Sequence, residues 1–318
     1  DKKIDHNYQT NLVDICPVGA FTSKDFRFKQ RVWFLKDKPA VCPGCSAGCH
    51  VNVFAKPETR SYYRLKPREA TANGHWMCDI GRDMYEHLNQ QHRLRFARTM
   101  QGGAPNNTQA AVVIQELKDK LQSTSPDKVA LLVSAQYTCE EYEDLFGYFV
   151  KDLGVKNVFQ WREPTEKRDE FDGILYRGDH NANTAGLIEA LGDAGIKKEV
   201  ANEFDQLAAA SPEVVIAIAP EVPSTFPSLK EQLGKLEELP FVSVWAVADV
   251  VREHPRVQQA LPLKGFCEKE GTFLNHKGEE GRLATPFPAG SEEARTLSEL
   301  VKELRNNATG SGDSAAQA

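Results

Sequence analysis

The 318-residue chain lacks any run of 18 apolar residues, so no segment reads as a membrane-spanning helix. No signal-peptide pattern is visible at its start. Charge of neither sign dominates: 39 Lys and Arg stand against 45 Asp and Glu, a formal net charge of −6. That balance gives no electrostatic footprint for nucleic acid. One local basic stretch exists, Lys24, Arg27, Lys29, Arg31, Lys36 and Lys38, interleaved with Phe26, Phe28 and Trp33. It reads as a solvated or subunit-facing surface. A Gly-x-Gly-x-x-Gly cradle for a dinucleotide is also missing: after Val133 comes Ser134-Ala135-Gln136-Tyr137-Thr138-Cys139-Glu140-Glu141, without glycine. There is no P-loop.

What is present is cysteine in a pattern. Four of the seven, Cys42, Cys45, Cys49 and Cys78, form a C-x2-C-x3-C run with a single remote partner. Four thiolates can close a tetrahedral metal site or hold the four irons of a cubane. The intervening residues Gly44, Ser46, Ala47 and Gly48 are small, which lets the backbone wrap and aim N–H groups at sulfur. Structural zinc usually takes two C-x2-C knuckles, or a knuckle and a His pair. His50 and His75 lie nearby but complete no such pair. The spacing therefore favours an iron–sulfur cubane, with zinc as the alternative. Such usage suits a reducing compartment better than a disulfide framework.

Cys16-Pro17 is a second signal, because a Cys-Pro pair closes the ferredoxin cysteine run and its Cys ligates a different cluster from its neighbours. Cys16 has no local partners. Either it is an ordinary buried thiol, or it completes a cluster whose other ligands lie on polypeptide absent from this chain. Cys139 and Cys267 read as structural thiols, and His180 as a local hydrogen-bond former.

The pattern along the chain is that of an α/β protein. Residues 1–35 look like the tail of a preceding domain, and the first residue, Asp1, suggests a piece of a longer chain. Residues 36–105 carry the four cysteines. Gly102-Gly103-Ala104-Pro105-Asn106-Asn107 is a breaker cluster and a candidate boundary. Residues 106–305 then alternate strands with helices, which argues a parallel sheet. Strands are expected at Val129–Val133, Val155–Gln160, Val214–Ala219 and Phe241–Val247. Helices are expected around Val113, Leu117 and Leu121, after a Thr138-x-x-Glu141 capping box, around Leu229, Leu233 and Leu236, and from Ser291 with Glu292 and Glu293 in its first turn. Residues 306–318 read as a disordered tail.

Taken together, the residues resemble the large iron–sulfur subunit, known as the G subunit, of NADH:quinone oxidoreductase (respiratory complex I). The resemblance is carried by Asn11-Leu12-Val13-Asp14-Ile15-Cys16-Pro17-Val18-Gly19-Ala20, Thr22-Ser23-Lys24, the Phe28–Trp33 stretch and the four-Cys motif. It continues through Trp76-Met77-Cys78-Asp79-Ile80-Gly81-Arg82 and Glu270-Gly271-Thr272-Phe273-Leu274-Asn275 with Gly281-Arg282.

It implies a [4Fe-4S] cluster on Cys42, Cys45, Cys49 and Cys78, and Cys16 as the last ligand of a second cluster whose other ligands lie upstream. In this chain alone Cys16 is expected to be a free thiol shielded by Val13, Ile15 and Val18. The resemblance extends to molybdopterin oxidoreductases, so the fold expected is a small iron–sulfur domain followed by a shortened α/β region of degenerate pterin type. Ile80 stands where those enzymes usually carry Lys, and the α/β region is short; both argue against molybdopterin. The implied role is electron transfer within an enzyme complex, with no complete active site on this chain. The implied partners are the other peripheral-arm subunits, including the NADH/FMN-binding one, on the cytoplasmic side of the inner membrane. Alternatives are an iron–sulfur subunit of an NAD-linked formate dehydrogenase or hydrogenase, or a scaffold module.

Overall fold

The computed structural model describes residues 4–196 and 204–306. The tail expected beyond residue 306 lies outside the described residues.

A short helix α1 (Asn11–Ile15) precedes a three-stranded antiparallel meander of β1 (Lys36–Val41), β2 (His50–Lys56) and β3 (Ser61–Pro67). In β2 the side chains of Val51, Val53 and Ala55 alternate inward, which fixes the register because a one-residue slip would expose all three. Helix α2 (Asp79–Arg82) follows.

The large sheet comprises β4 (Ala97–Gln101), β5 (Ala104–Thr108), β6 (Val129–Val133), β7 (Asn157–Gln160), β8 (Val214–Ile218), β9 (Val242–Ala246) and β10 (Gln259–Pro262). Their order is β5-β4-β10-β9-β8-β6-β7. Strands β10, β9, β8, β6 and β7 run parallel, and β4 and β5 close one edge antiparallel. The parallel part has a doubly wound order whose reversal falls between β6 and β8.

Strands β6, β8 and β9 are buried along their whole length, as their unbroken apolar runs require. Leu131, Val133, Ile216 and Ile218 face a layer holding α3 (Ala110–Gln122), α4 (Cys139–Phe146), α5 (Thr184–Asp193) and α8 (Leu297–Asn306). Ala130, Leu132, Val215 and Ala217 face α6 (Phe204–Ala209) and α7 (Leu229–Leu236). The first layer runs on into Val41, Val51, Tyr62 and Leu65, so the meander shares the core of the α/β region. A hairpin of β11 (Gly271–Leu274) and β12 (Glu280–Leu283) lies against it. There Gly281 approaches so near that an added Cβ would meet Val41 Cγ2 at 2.8 Å.

The expected strands and helices appear with shifted ends, and the capping box Thr138–Glu141 is formed as read. Phe149 falls in a π-helical turn, Gly147–Asp152, rather than in α4 itself. Gly102 and Gly103 adopt φ of 59° and 81° and make the turn between β4 and β5, so the sheet takes a strand from before the breaker cluster. The last helix starts at Leu297, not Ser291. Residues ahead of it run beside β10, with Arg295 N–H on Pro262 O (3.1 Å). Thr296 and Glu299 form its capping box, at 2.8 and 3.0 Å. Glu293 instead receives the N–H of Ala110, the first residue of α3, at 2.8 Å.

Candidate metal centre

Three of the cysteines sit on the loop joining β1 to β2. Cys42 N–H donates to Cys49 O at 2.9 Å, which closes that loop at its base. Its apex is pinned from the α/β region: Ser46 N–H reaches Asp179 O (3.0 Å) and Ser46 O accepts from His276 N–H (2.9 Å). Gly48 has φ of +70°, and a Cβ there would lie 2.6 Å from Asn275 Cβ. Both the conformation and the close approach demand glycine.

Cys78 comes in on a separate arm. It is the N-cap of α2, and Gly81 N–H donates to its Sγ at 3.2 Å. Asn11 of α1 holds this arm by both amide atoms, donating to Met77 O (2.8 Å) and accepting from Met77 N–H (3.1 Å). Arg82 ties the same helix through Asp14 at 2.7 Å.

All four cysteines are buried, none more than 8% exposed. They line one small hollow, walled further by Met77, Met84, Ile80 and Tyr176. Gly81 forms part of the cradle: a Cβ there would come to 3.2 Å from Cys78 Sγ and 3.4 Å from Cys42 Sγ. Among the described residues no three His, Cys, Asp or Glu side chains close on a single point as one metal ion requires.

Burial pushes every one of these thiols up, Cys78 to about 12. For Cys42 and Cys49 the neighbouring cysteines add to the rise, since clustered thiolates repel in a site of low dielectric. Backbone N–H groups of Gly44, Ala47, Arg177 and Gly81 oppose it. A donor set of this kind fits a cationic metal core, whose charge reverses the penalty and leaves the sulfurs deprotonated.

Cys16 stands apart from the four. It follows α1, and the N–H groups of Phe21, Ala20, Val18 and Gly19 face its sulfur and hold its pKa below the ordinary thiol value. The expected shield is not there. Ile15, the last residue of α1, is 72% exposed, and Val18, in the turn after it, 83%.

Cys267 is buried beside Glu268 and Tyr62, and Cys139 is half-buried against Asn183. His180 bonds Tyr176 Oη at 2.9 Å. Gly81 carries a signal overlooked in the sequence: it lies three residues after the fourth cysteine, where a helix-capping thiol meets its N–H. Asn11 and Asn275 stand in stretches that carry the resemblance, but nothing local marks their contacts, since each acts on a segment far away in the chain.

Fold and site define a cysteine-centred β-domain packed on a doubly wound α/β sheet. The chain is related to the G subunit of NADH-quinone oxidoreductase. It is 28% identical to the G subunit from Rickettsia prowazekii over 176 residues, 54% of this chain and 26% of that protein. It is 37% identical to the G subunit from Streptomyces coelicolor over 87 residues, 27% and 10% of the respective chains. The alpha subunit of NADPH-Fe(3+) oxidoreductase from Geobacter sulfurreducens is 30% identical over 131 residues, 41% and 15%. The chain spans about a quarter or less of the length of the curated relatives it matches. No family model matches it.

Proposed function

We propose that this chain is an iron–sulfur electron-transfer subunit of an NADH:quinone oxidoreductase, holding a [4Fe-4S] cluster on Cys42, Cys45, Cys49 and Cys78. The observation that carries the reading is the set of four buried cysteines around one hollow, with backbone N–H groups turned to their sulfurs. Zinc would need its thiolates about 2.3 Å from one point. In a cubane each sulfur instead meets a different iron.

When bound, such a cluster supplies one-electron transfer. The rest is done by the chain. The loop 42–49 and the Cys78 arm fix the sulfurs. Met77 and Met84, at most 3% exposed, exclude water. The N–H donors stabilise negative charge on sulfur, which raises a cluster's potential.

Cys16 serves as one ligand of a second cluster, in a cup of N–H groups, its companions supplied by an upstream ferredoxin-like segment. The α/β region is a degenerate pterin-type fold that holds no molybdopterin and serves subunit packing. Partners are the other peripheral-arm subunits, including the one that binds NADH and FMN, on the cytoplasmic side of the membrane. No helix among the described residues is long and apolar enough to cross a membrane. The relationship to an NADPH-Fe(3+) oxidoreductase subunit favours a second reading, an iron–sulfur subunit of another nicotinamide-linked reductase.

The test is iron, acid-labile sulfide and zinc content of anaerobically prepared protein. Four irons and four sulfides per chain are expected. Stoichiometric zinc without iron would replace the reading with a structural zinc site.

A further inference from the structure

The segment between β7 and α5 reaches across to the thiol hollow. An antiparallel bridge joins Phe171 to Arg177 and closes a tight turn between them. This turn brings two groups to the metal centre: the ring of Tyr176, in the wall of the hollow, and the N–H of Arg177, which faces Cys45 Sγ. Two residues further on, Asp179 O takes the N–H of Ser46 at the apex of the cysteine loop (3.0 Å).

The turn is folded around one carboxylate. Asp172 Oδ1 accepts the N–H groups of Ile174, Leu175 and Tyr176 at 2.9, 3.0 and 3.1 Å. Asp172 Oδ2 accepts from Tyr8 Oη at 2.5 Å. The same Tyr8 Oη lies 3.0 Å from the nitrogens of Leu175 and Tyr176 and shares their N–H groups with Asp172. The hydroxyl thus donates once and accepts twice, on a side chain only 7% exposed.

Tyr8 comes from the far end of the chain, 164 residues before Asp172, and its neighbours grip the opposite side of the hollow. Asn7 O accepts Asp79 N–H (2.6 Å), Asn7 Oδ1 accepts Ile80 N–H (3.2 Å), and Thr10 N–H donates to Asp79 Oδ1 (3.1 Å). Asn11 holds Met77 as described above. Residues 7–11 therefore fix the Cys78 arm, and through Tyr8 they fix the turn at 172–176 as well. The loop 42–49 and the Cys78 arm carry the thiols; the turn carries none, yet it closes the hollow beside Cys45.

We propose that Tyr8 and Asp172 form a clamp that positions the Tyr176–Arg177 turn over the metal centre and slows loss of the metal. Tyr8 is then a positioning residue, acting through the turn. The identity of the metal rests on the function proposed above; the clamp requires only that the hollow be filled. Removing a buried hydrogen bond to a carboxylate raises the open population of the turn about tenfold.

The experiment uses the full metal-loaded chain under anaerobic conditions. Excess EDTA is added, and released iron and zinc are counted with time. Amide hydrogen exchange of the peptide covering 172–178 is followed in parallel. Tyr8→Phe deletes the hydroxyl and keeps the ring. It is expected to release metal about tenfold faster and to speed exchange in that peptide, with β6 and β8 unchanged. Asp172→Asn keeps Oδ1 for the three N–H groups, so its release rate should fall between those of Asp172→Ala and the parent. Val215→Ala, buried in the layer on the other face of the sheet, controls for general loss of stability. Metal release from Tyr8→Phe at the parental rate would overturn the proposal. So would faster exchange at the turn without faster release, or equal acceleration in Val215→Ala. Zinc in place of iron and sulfide would sink the cubane, and the release rates would still decide the clamp.

Discussion

Arg93 and Glu268 form a bidentate ion pair in the core, at 2.7 and 2.5 Å, with neither side chain exposed. The carboxylate also accepts from Tyr62 Oη (2.8 Å), Gly265 N–H (3.0 Å) and Gly290 N–H (2.9 Å). Tyr62 lies on β3 and Arg93 just ahead of β4, so this one carboxylate joins the cysteine-bearing meander to the α/β sheet. Glu268→Ala leaves the guanidinium buried and unpaired and is expected to cost about 3–5 kcal/mol. Denaturant unfolding measures it. Gly290→Ala should also destabilise, since its Cβ would meet Arg93 Nη1 at 2.7 Å.

Gly81→Ala is expected to lower iron occupancy more than it lowers stability. The added methyl would sit 3.2 Å from Cys78 Sγ and 3.4 Å from Cys42 Sγ, on the cradle itself. Gly48→Ala should do both, costing about 1–3 kcal/mol for a left-handed residue pressed on Asn275. Iron content read beside the thermal midpoint separates the two variants.

Cys16 should alkylate first. Its sulfur is surrounded by N–H donors on an exposed turn and its pKa is lowered, whereas burial raises the four thiols of the hollow. Iodoacetamide at neutral pH, followed by peptide mass analysis, should label Cys16 at least about tenfold faster than Cys45. In an assembly that supplies the upstream ligands, Cys16 should become inert.

Asp83 gives a pH signature. Burial first, then Glu86, Asp25 and Asp79, push its carboxyl up to about 6. A carboxyl whose folded pKa exceeds the unfolded value of about 3.9 binds its proton more tightly in the native state. It therefore lowers stability as pH rises from about 4 to 6, and the penalty is complete above 6. Asp83→Asn should raise the unfolding free energy at pH 7.5 by on the order of 1 kcal/mol after solvent screening, and the thermal midpoint with it, and change little at pH 4. A midpoint raised equally at both pH values would rule out titration as the cause.

The gathering of the four cysteines was legible because it is largely local: three of them lie within one loop, and small residues between them announce the wrap. The buried strands and the Thr138 capping box were legible for the same reason. What escaped depends on distant partners. The start of α8 moved because residues 291–296 are drawn along β10 and Glu293 is used at the head of α3. Val18 is exposed in a turn that contains Gly19 at φ +66°, and Ile15 at the end of α1, where hydrophobicity alone read a shield.

The central claim is that four thiolates of this chain hold a cubane. Low-temperature EPR of the dithionite-reduced protein tests it most directly, with Cys45→Ala prepared in parallel. The account predicts a fast-relaxing spin-one-half signal integrating to near one spin per chain in the parent, lost or converted in the variant. A silent parent, or a signal unchanged by Cys45→Ala, would contradict it.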